Sequence, residues 1–219
     1  MTELSKIASK YYTDKGITYF NSHGYTEIYD SYFKKLKNEN RKVNILEIGV
    51  QAGYDLLMLN DYFEGNCEIY GIDIDLSTCK IKDNLPENIH LIKMNGSNID
   101  ELASWYNNSI KLNYESVFHI PLFDIILDDG SHYSEDIINT LIFFYDKISN
   151  NGLYIIEDLH APQASEILNY LTITDINNIP NEQLRYVLSK RTNMFINYIY
   201  DNSNIEFNSS IFTILQFKR

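Results

Sequence analysis

The sequence predicts an α/β chain built on a doubly wound, mostly parallel sheet with an antiparallel strand at its C-terminal side. Three observations lead there. Five short apolar runs alternate with segments of helical periodicity; no repeat, low-complexity tract or Pro/Gly linker interrupts that rhythm; and residues 204 to 218 break from it as a close hairpin.

Taken in order, residues 1 to 40 form an N-terminal helical part. Tyr25, Tyr29, Tyr32 and Phe33 make one helical stripe, read first as core packing, with a role in closing a site or meeting a second subunit left open. The basic run "KKLKNENRK" is the solvated end of that helix. Strands follow at Val43–Ile48, Glu68–Ile72, Ile89–Met94, Phe123–Asp128 and Gly152–Ile156, and runs this apolar suit a parallel sheet covered on both faces. Helices fall between them at Asp55–Tyr62, Asp100–Tyr106 and Glu135–Ile148, which implies right-handed crossovers. Residues 161 to 203, Tyr-rich, read as a helical and irregular cover over one edge of the sheet. The terminal "NIEFNSSIFTILQFK" reads as two strands about the turn Asn208–Ser210, with Ile211–Phe217 as the second; a close hairpin must be antiparallel.

A chain of 219 residues supports one core, and the whole of it is read as a single domain. The net charge of -12 argues against a nucleic-acid surface, which is built on Lys and Arg. No apolar stretch approaches the ~18 residues needed to span a bilayer, and "MTELSKIASKYY" has no signal core, so the expected location is cytoplasmic. Cys67 and Cys79 have no metal-ligand spacing and read as reduced, structural thiols.

The chemistry gathers at strand ends. "LEIGVQAGYDLLM" places Glu47, Gly49 and Gly53 after the first strand, where glycines allow a sharp turn and close approach of a ligand; helix–strand packing explains them equally well on their own. "YGIDID" then ends the second strand with Asp73, 20 residues beyond Gly53, an acid placed to accept ribose hydroxyls. Loop and acid together indicate a nucleoside ligand. Gln51 stands where a pyrophosphate loop needs its middle glycine, and Glu47 would repel a pyrophosphate but suits an ammonium, so S-adenosylmethionine is favoured over a nicotinamide cofactor. Asn95 and Ser97 follow the third strand as candidate adenine contacts or plain turn formers.

"FDIILDDGSHYSED" and "YIIEDLH" end the fourth and fifth strands with Asp128, Asp129, Glu157 and Asp158. Neighbouring strands lie about 4.8 Å apart, so these acids would crowd together and call for a cation. Oxygen ligands select a hard ion, Mg²⁺ before Mn²⁺ or Ca²⁺, and Asp129, Glu157 and Asp158 are the expected ligands. Asp128 taken alone is more simply a capping acid, and it also counts among the candidate cofactor contacts; Ser134 is a candidate N-cap. His132, three residues after Asp129, is the expected general base.

These motifs, with "YYTDKG…HGYTEIYDSYF" near the N-terminus and the closing "FNSSIFTILQFKR", resemble the class I S-adenosylmethionine-dependent methyltransferases, specifically the metal-dependent sugar O-methyltransferases of macrolide biosynthesis. The resemblance implies a Rossmann-like, seven-stranded sheet with its last strand antiparallel. It also implies a donor site at Glu47, Gly49, Gly53 and Asp73, Mg²⁺ on Asp129, Glu157 and Asp158, and His132 as base. The implied partner is a small-molecule acceptor, a sugar or nucleotide-linked sugar, with homo-oligomerisation left open. Asp55 departs from the serine common in that group, and the stretch after Asp158, residues 159 to 184, does not match it closely. A catechol-type O-methyltransferase, a nicotinamide-dependent oxidoreductase and a non-catalytic binding module stand as alternatives.

Overall fold

The computed structural model describes residues 1–18, 22–111, 122–200 and 209–217. Two helices lead the chain, α1 (Glu3–Ala8) and α2 (Tyr25–Lys37). Then come β1 (Val43–Ile48), α3 (Tyr54–Tyr62), β2 (Cys67–Asp73), β3 (Ile89–Lys93) and α4 (Ile99–Trp105), which runs on as a π-helical turn, Tyr106–Lys111. The second half holds β4 (Phe123–Asp128), α5 (Ser134–Phe144), β5 (Ile148–Ile156), α6 (Ser165–Thr172), α7 (Glu182–Ser189), β6 (Arg191–Tyr200) and β7 (Ser209–Phe217).

The strands form one seven-stranded sheet in the order β3-β2-β1-β4-β5-β7-β6. Pairs among β1 to β5 are parallel, whereas β7 runs antiparallel to both β5 and β6. Alternation along the strands sorts the apolar side chains onto two faces. Ile45, Ile69, Ile125 and Ile155 meet α1, α2 and α3 through Leu4, Tyr29, Phe33 and Leu59. Leu46, Ile72, Ile126 and Ile156 meet α4 to α7 through Leu102, Leu141, Ile167 and Leu184. All six residues of β4 are buried, as a central parallel strand requires.

In α2 the stripe Tyr25, Tyr29 and Phe33 is fully buried, with Tyr29 edge-on to Phe212 of β7. Tyr32 lies off that stripe, half-buried against Phe195 of β6. Lys34, Lys35 and Lys37 end the helix as expected, but Arg41 of the same basic run reaches inward to buried Asp124 with two hydrogen bonds of 2.8 Å.

Besides one-residue shifts at several helix and strand ends, three features differ from the sequence reading. The helix expected over Glu135–Ile148 stops at Phe144, and Ile148 already begins β5, because a bulge between Phe123 and Ile125 takes up the polar "SNNG" that looks like a loop. Ser134 is the first residue of α5 and not its cap; its hydroxyl donates to the Gln163 carbonyl and accepts from the Ile167 N–H, tying α5 to α6. The C-terminal pair is wider than a hairpin at 208–210: Ser209 and Ser210 belong to β7, whose partner is Arg191–Tyr200, taken from the segment read as a helical cover. Residues 204–208, expected as the hairpin's first strand and the start of its turn, lie outside the described residues. No helix among the described residues is long and apolar enough to cross a membrane.

Candidate active site

The crossovers leave β1 in opposite directions on its two sides, toward β2 and toward β4, so the sheet has its switch point between β1 and β4. A cavity of about 470 Å³ lies there, at the carboxyl ends of the strands. Its walls include Gly49, Asp73, Ser97 and Asp128, together with Asp129, His132 and Asp158.

The loop after β1 is shaped by left-handed backbone at Gly49 (φ 90°), Gln51 (φ 47°) and Gly53 (φ 83°). A Cβ on Gly49 would stand 1.9 Å from the Asp129 carbonyl oxygen, so this glycine lets two strand ends close up beneath the cavity. Gly53 does not line the cavity; it opens α3, and a Cβ there would strike Ile81 and Cys79. For Gly53 the packing role is the one the geometry displays. Asp73 reaches across from β2 and accepts 2.9 Å hydrogen bonds from the Val50 and Gln51 N–H groups on one oxygen, and one from the Asp75 N–H on the other. It thereby fixes the loop while facing the cavity. Asn95 accepts from the backbone and hydroxyl of Ser97, a turn in which Ser97 still borders the cavity.

Asp128 is buried and takes hydrogen bonds from the Thr140 and Tyr154 hydroxyls. Burial raises its carboxyl above the ordinary range, against those donors. It is therefore a satisfied acid at the cavity wall, with no helix cap to serve.

One residue further along, Asp129 and Glu157 continue the ladder, their N–H groups donating to Ile48 and Asp128 carbonyls. Between them stands Lys15. Its side chain is 1% exposed, and its Nζ lies 2.6 Å from Asp129 Oδ2 and 2.6 Å from Glu157 Oε2, with Glu47 at 3.8 Å and Asp55 at 3.9 Å. Burial opposes the ammonium, but four carboxylates hold its pKa well above the usual value. Glu157 is engaged from within on both oxygens, since the other accepts from the Tyr29 hydroxyl at 2.8 Å. It does not reach the cavity wall.

Glu47 lies in the same interior layer. Neither of its oxygens has a hydrogen-bond partner, Lys15 is its nearest cation, and burial drives its carboxyl well above the ordinary range. The cavity wall expected to include Glu47 does not contain it.

The outer side of the cluster is different. Asp129 and Asp158 are 21% and 23% exposed, and His132 Nε2 lies 4.0 Å from Asp129 Oδ1 and 3.8 Å from Asp158 Oδ2. Ligand atoms of Asp129, His132 and Asp158 fall within 4.8 Å of one another, a donor set that fits a hard divalent ion. Burial pushes the Asp129 carboxyl up to about 6, with Lys15 opposing and Asp158 reinforcing that shift. For Asp158 burial is outweighed by the Tyr25 hydroxyl, which donates to it at 2.5 Å, and by nearby histidines; its carboxyl sits below the ordinary range. His132 and Asp158 both have left-handed backbone, φ 59° and 52°, a conformation that non-glycine residues keep only where their surroundings impose it.

Sequence reasoning missed Lys15, Tyr25 and Tyr29 as members of this site. Tyr25 and Tyr29 were read as core, which they also are. For Lys15 the one signal was its place in "TDKG" within the resemblance, because a lysine near the N-terminus has no local pattern that announces burial. Asp55 borders the cavity and accepts from the Thr13 hydroxyl.

No family model matches the sequence. Among curated proteins, mycinamicin VI 2''-O-methyltransferase of Micromonospora griseorubida is 29% identical over 168 residues, covering 72% of this chain and 36% of that protein. The 8-demethyl-8-alpha-L-rhamnosyl tetracenomycin-C 2'-O-methyltransferase of Streptomyces olivaceus is 28% identical over 166 residues, 72% of this chain and 38% of its own. The chain thus spans little more than a third of the length of these relatives. Among solved structures, MycE methyltransferase from the mycinamycin biosynthetic pathway, in complex with Mg and SAH, superposes with a TM-score of 0.68 at 22% identity, covering 99% of this chain and 55% of that one.

Proposed function

We propose that this chain, which has the fold of the class I S-adenosylmethionine-dependent methyltransferases, transfers a methyl group from S-adenosylmethionine to a hydroxyl of a sugar or sugar-containing small molecule with the help of Mg²⁺. The observation that carries the reading is that one cavity is lined by two chemically distinct sets of residues, the loop from Gly49 with Asp73, and the cluster Asp129, His132 and Asp158. The named activities of the curated relatives support O-methylation, and the rhamnosyl acceptor of one of them supports a sugar.

In this reading bound S-adenosylmethionine supplies the methyl group and a divalent ion the Lewis acidity that eases loss of the acceptor proton. Asp73 accepts the ribose hydroxyls on lone pairs not used by the Val50, Gln51 and Asp75 N–H groups. Gly49 leaves the floor of the cavity without a side chain, and Ser97 and Asp128 border the adenine end. Asp129 and Asp158 are the residues that would hold the ion. His132, whose Nε2 lies 3.8 Å from Asp158 and 4.0 Å from Asp129, is the group that takes the acceptor proton.

The test is calorimetric titration with S-adenosylhomocysteine, followed by methyl transfer to a panel of free sugars, nucleotide-linked sugars and catechols with Mg²⁺ or with EDTA. Binding and metal-dependent turnover on a sugar are expected. The His132→Ala protein should bind S-adenosylhomocysteine normally and lose about 10²–10⁴-fold in turnover. A His132→Ala protein at full rate removes the base assignment, and failure to bind S-adenosylhomocysteine removes the donor site and returns a nicotinamide cofactor or a binding module to consideration.

A further inference from the structure

We infer that the outer edge of β6 is an interface on which a second copy of this chain adds its own β6, antiparallel, so that the two sheets continue as one. The sheet has two edges, and they are built differently. β3 is five residues long, ends in exposed Lys93 and carries His90 paired with Glu68; short length and charge are the features that keep an edge strand from pairing. β6 has neither. It runs for ten residues, and from Thr192 to Tyr200 it holds no Lys, Arg, Asp, Glu or Pro. Its one irregularity lies between Arg191 and Asn193, and from Asn193 to Tyr200 the register with β7 is unbroken. Along such a strand every second residue turns its N–H and C=O away from β7, and no strand among the described residues receives them.

Three observations choose the occupant. The edge is apolar on both faces: Phe195, 40% exposed, stands 5.7 Å from Tyr32 on the side of α2, and Met194 packs on the other face opposite Leu215. A strand that extends both layers has to be apolar on both faces, as β6 itself is. Next, the chain carries a net charge of -12, so two copies repel each other across most of their surface, and the uncharged edge is where they approach with least repulsion. Last, Arg191 Nη1 is buried without a hydrogen-bond partner among the described residues. When β6 pairs antiparallel with its own copy, each Arg191 stands beside the C-terminal end of the other β6, whose outward carbonyls accept from the guanidinium.

Such a pairing about a two-fold axis is isologous; it satisfies both edges at once and closes at two copies. The middle of residues 192–200 is position 196, so Phe195 lies one residue from the axis and close to its own counterpart.

The experiment uses the 219-residue chain and three variants, Phe195→Lys, Phe195→Glu and Asn193→Lys. Sedimentation equilibrium should find the parent half dimeric at or below about 10 µM. Both Phe195 variants should raise the dimer dissociation constant by about tenfold or more, because a charge of either sign beside a two-fold axis meets itself. A contact with some other, charged surface responds to Lys and Glu in opposite directions. If neither Phe195 variant folds, Asn193→Lys decides, since that side chain is exposed: a dimer weaker by about tenfold supports the proposal, and parental affinity overturns it.

Hydrogen exchange on the parent at two concentrations needs no variant. Amides of residues 193–200 should exchange about fivefold more slowly, or slower still, in the dimer than in the diluted chain, while those of β3 stay unchanged. A parent still monomeric at about 200 µM, a dimer whose β6 amides exchange as in the monomer, or Lys and Glu effects of opposite sign overturns the proposal. A monomer with slow exchange along β6 identifies other residues of the same chain as the cover of that edge. None of these measurements involves S-adenosylmethionine, so the interface stands or falls apart from the function proposed above.

Discussion

A methyl group at position 49 would meet the Asp129 carbonyl oxygen at 1.9 Å, and the backbone there has φ of 90°. Both effects act against alanine, overpacking by about 1–3 kcal/mol and left-handed backbone by roughly 1–2 kcal/mol. Gly49→Ala should therefore cost about 3 kcal/mol in urea unfolding and weaken S-adenosylhomocysteine binding, since the displaced neighbour carries Asp129; unchanged stability and binding would contradict the account. This glycine was legible from the strand-end motif, though the reason differs in kind: the close approach the structure displays is by the end of a neighbouring strand. Asp73 and His132 were legible for the same reason, lying at positions where a parallel sheet presents its chemistry. Lys15 was not. Its partners lie as far as 142 residues along the chain, and no pattern within a helix or strand encodes a contact of that span.

At the scale of elements, the five parallel strands were readable because burial on two faces leaves continuous apolar runs. β6 was not, because "RTNMFINYIY" mixes polar and apolar residues at the edge of the sheet, where one side has no neighbouring strand among the described residues. The bulge in β5 escaped for a related reason, since three polar residues and a glycine in a row obey turn chemistry while they stay within the strand. Arg41 shows how a surface pattern misleads. It sits in a basic run, yet pairs with Asp124, which is 1% exposed and also accepts from the Asn44 N–H and the Ser149 hydroxyl. Arg41→Ala leaves that acid with two donors and no cation, and should lower stability by about 2–3 kcal/mol in urea unfolding without altering S-adenosylhomocysteine affinity. A change below about 0.5 kcal/mol would place the pair with ordinary surface bridges.

For the molecule as a whole, the sheet divides the core into two faces, and both cysteines lie on the face that carries α1 to α3. Burial lifts the Cys67 thiol up to about 11, and Cys79 is 2% exposed. Ellman's reagent should leave both unmodified in the native protein and titrate two thiols after denaturation; rapid labelling of the native chain would show that this face opens readily. The reduced, structural thiols expected from spacing agree with that burial.

The position of β7 has a consequence for how the protein is made. A ribosome delivers residues in order, at ~5–20 per second, and β1 to β5 can assemble from what has already emerged. β6 cannot, because its only partner among the described strands is β7, completed 17 residues after β6 ends. For roughly 1–3 s at that pace of synthesis, residues 191–200 exist without the strand that places them, and the β5 edge that β7 will cover is open as well. Of this pair, the strand translated later is thus the one that commits the earlier one to its place.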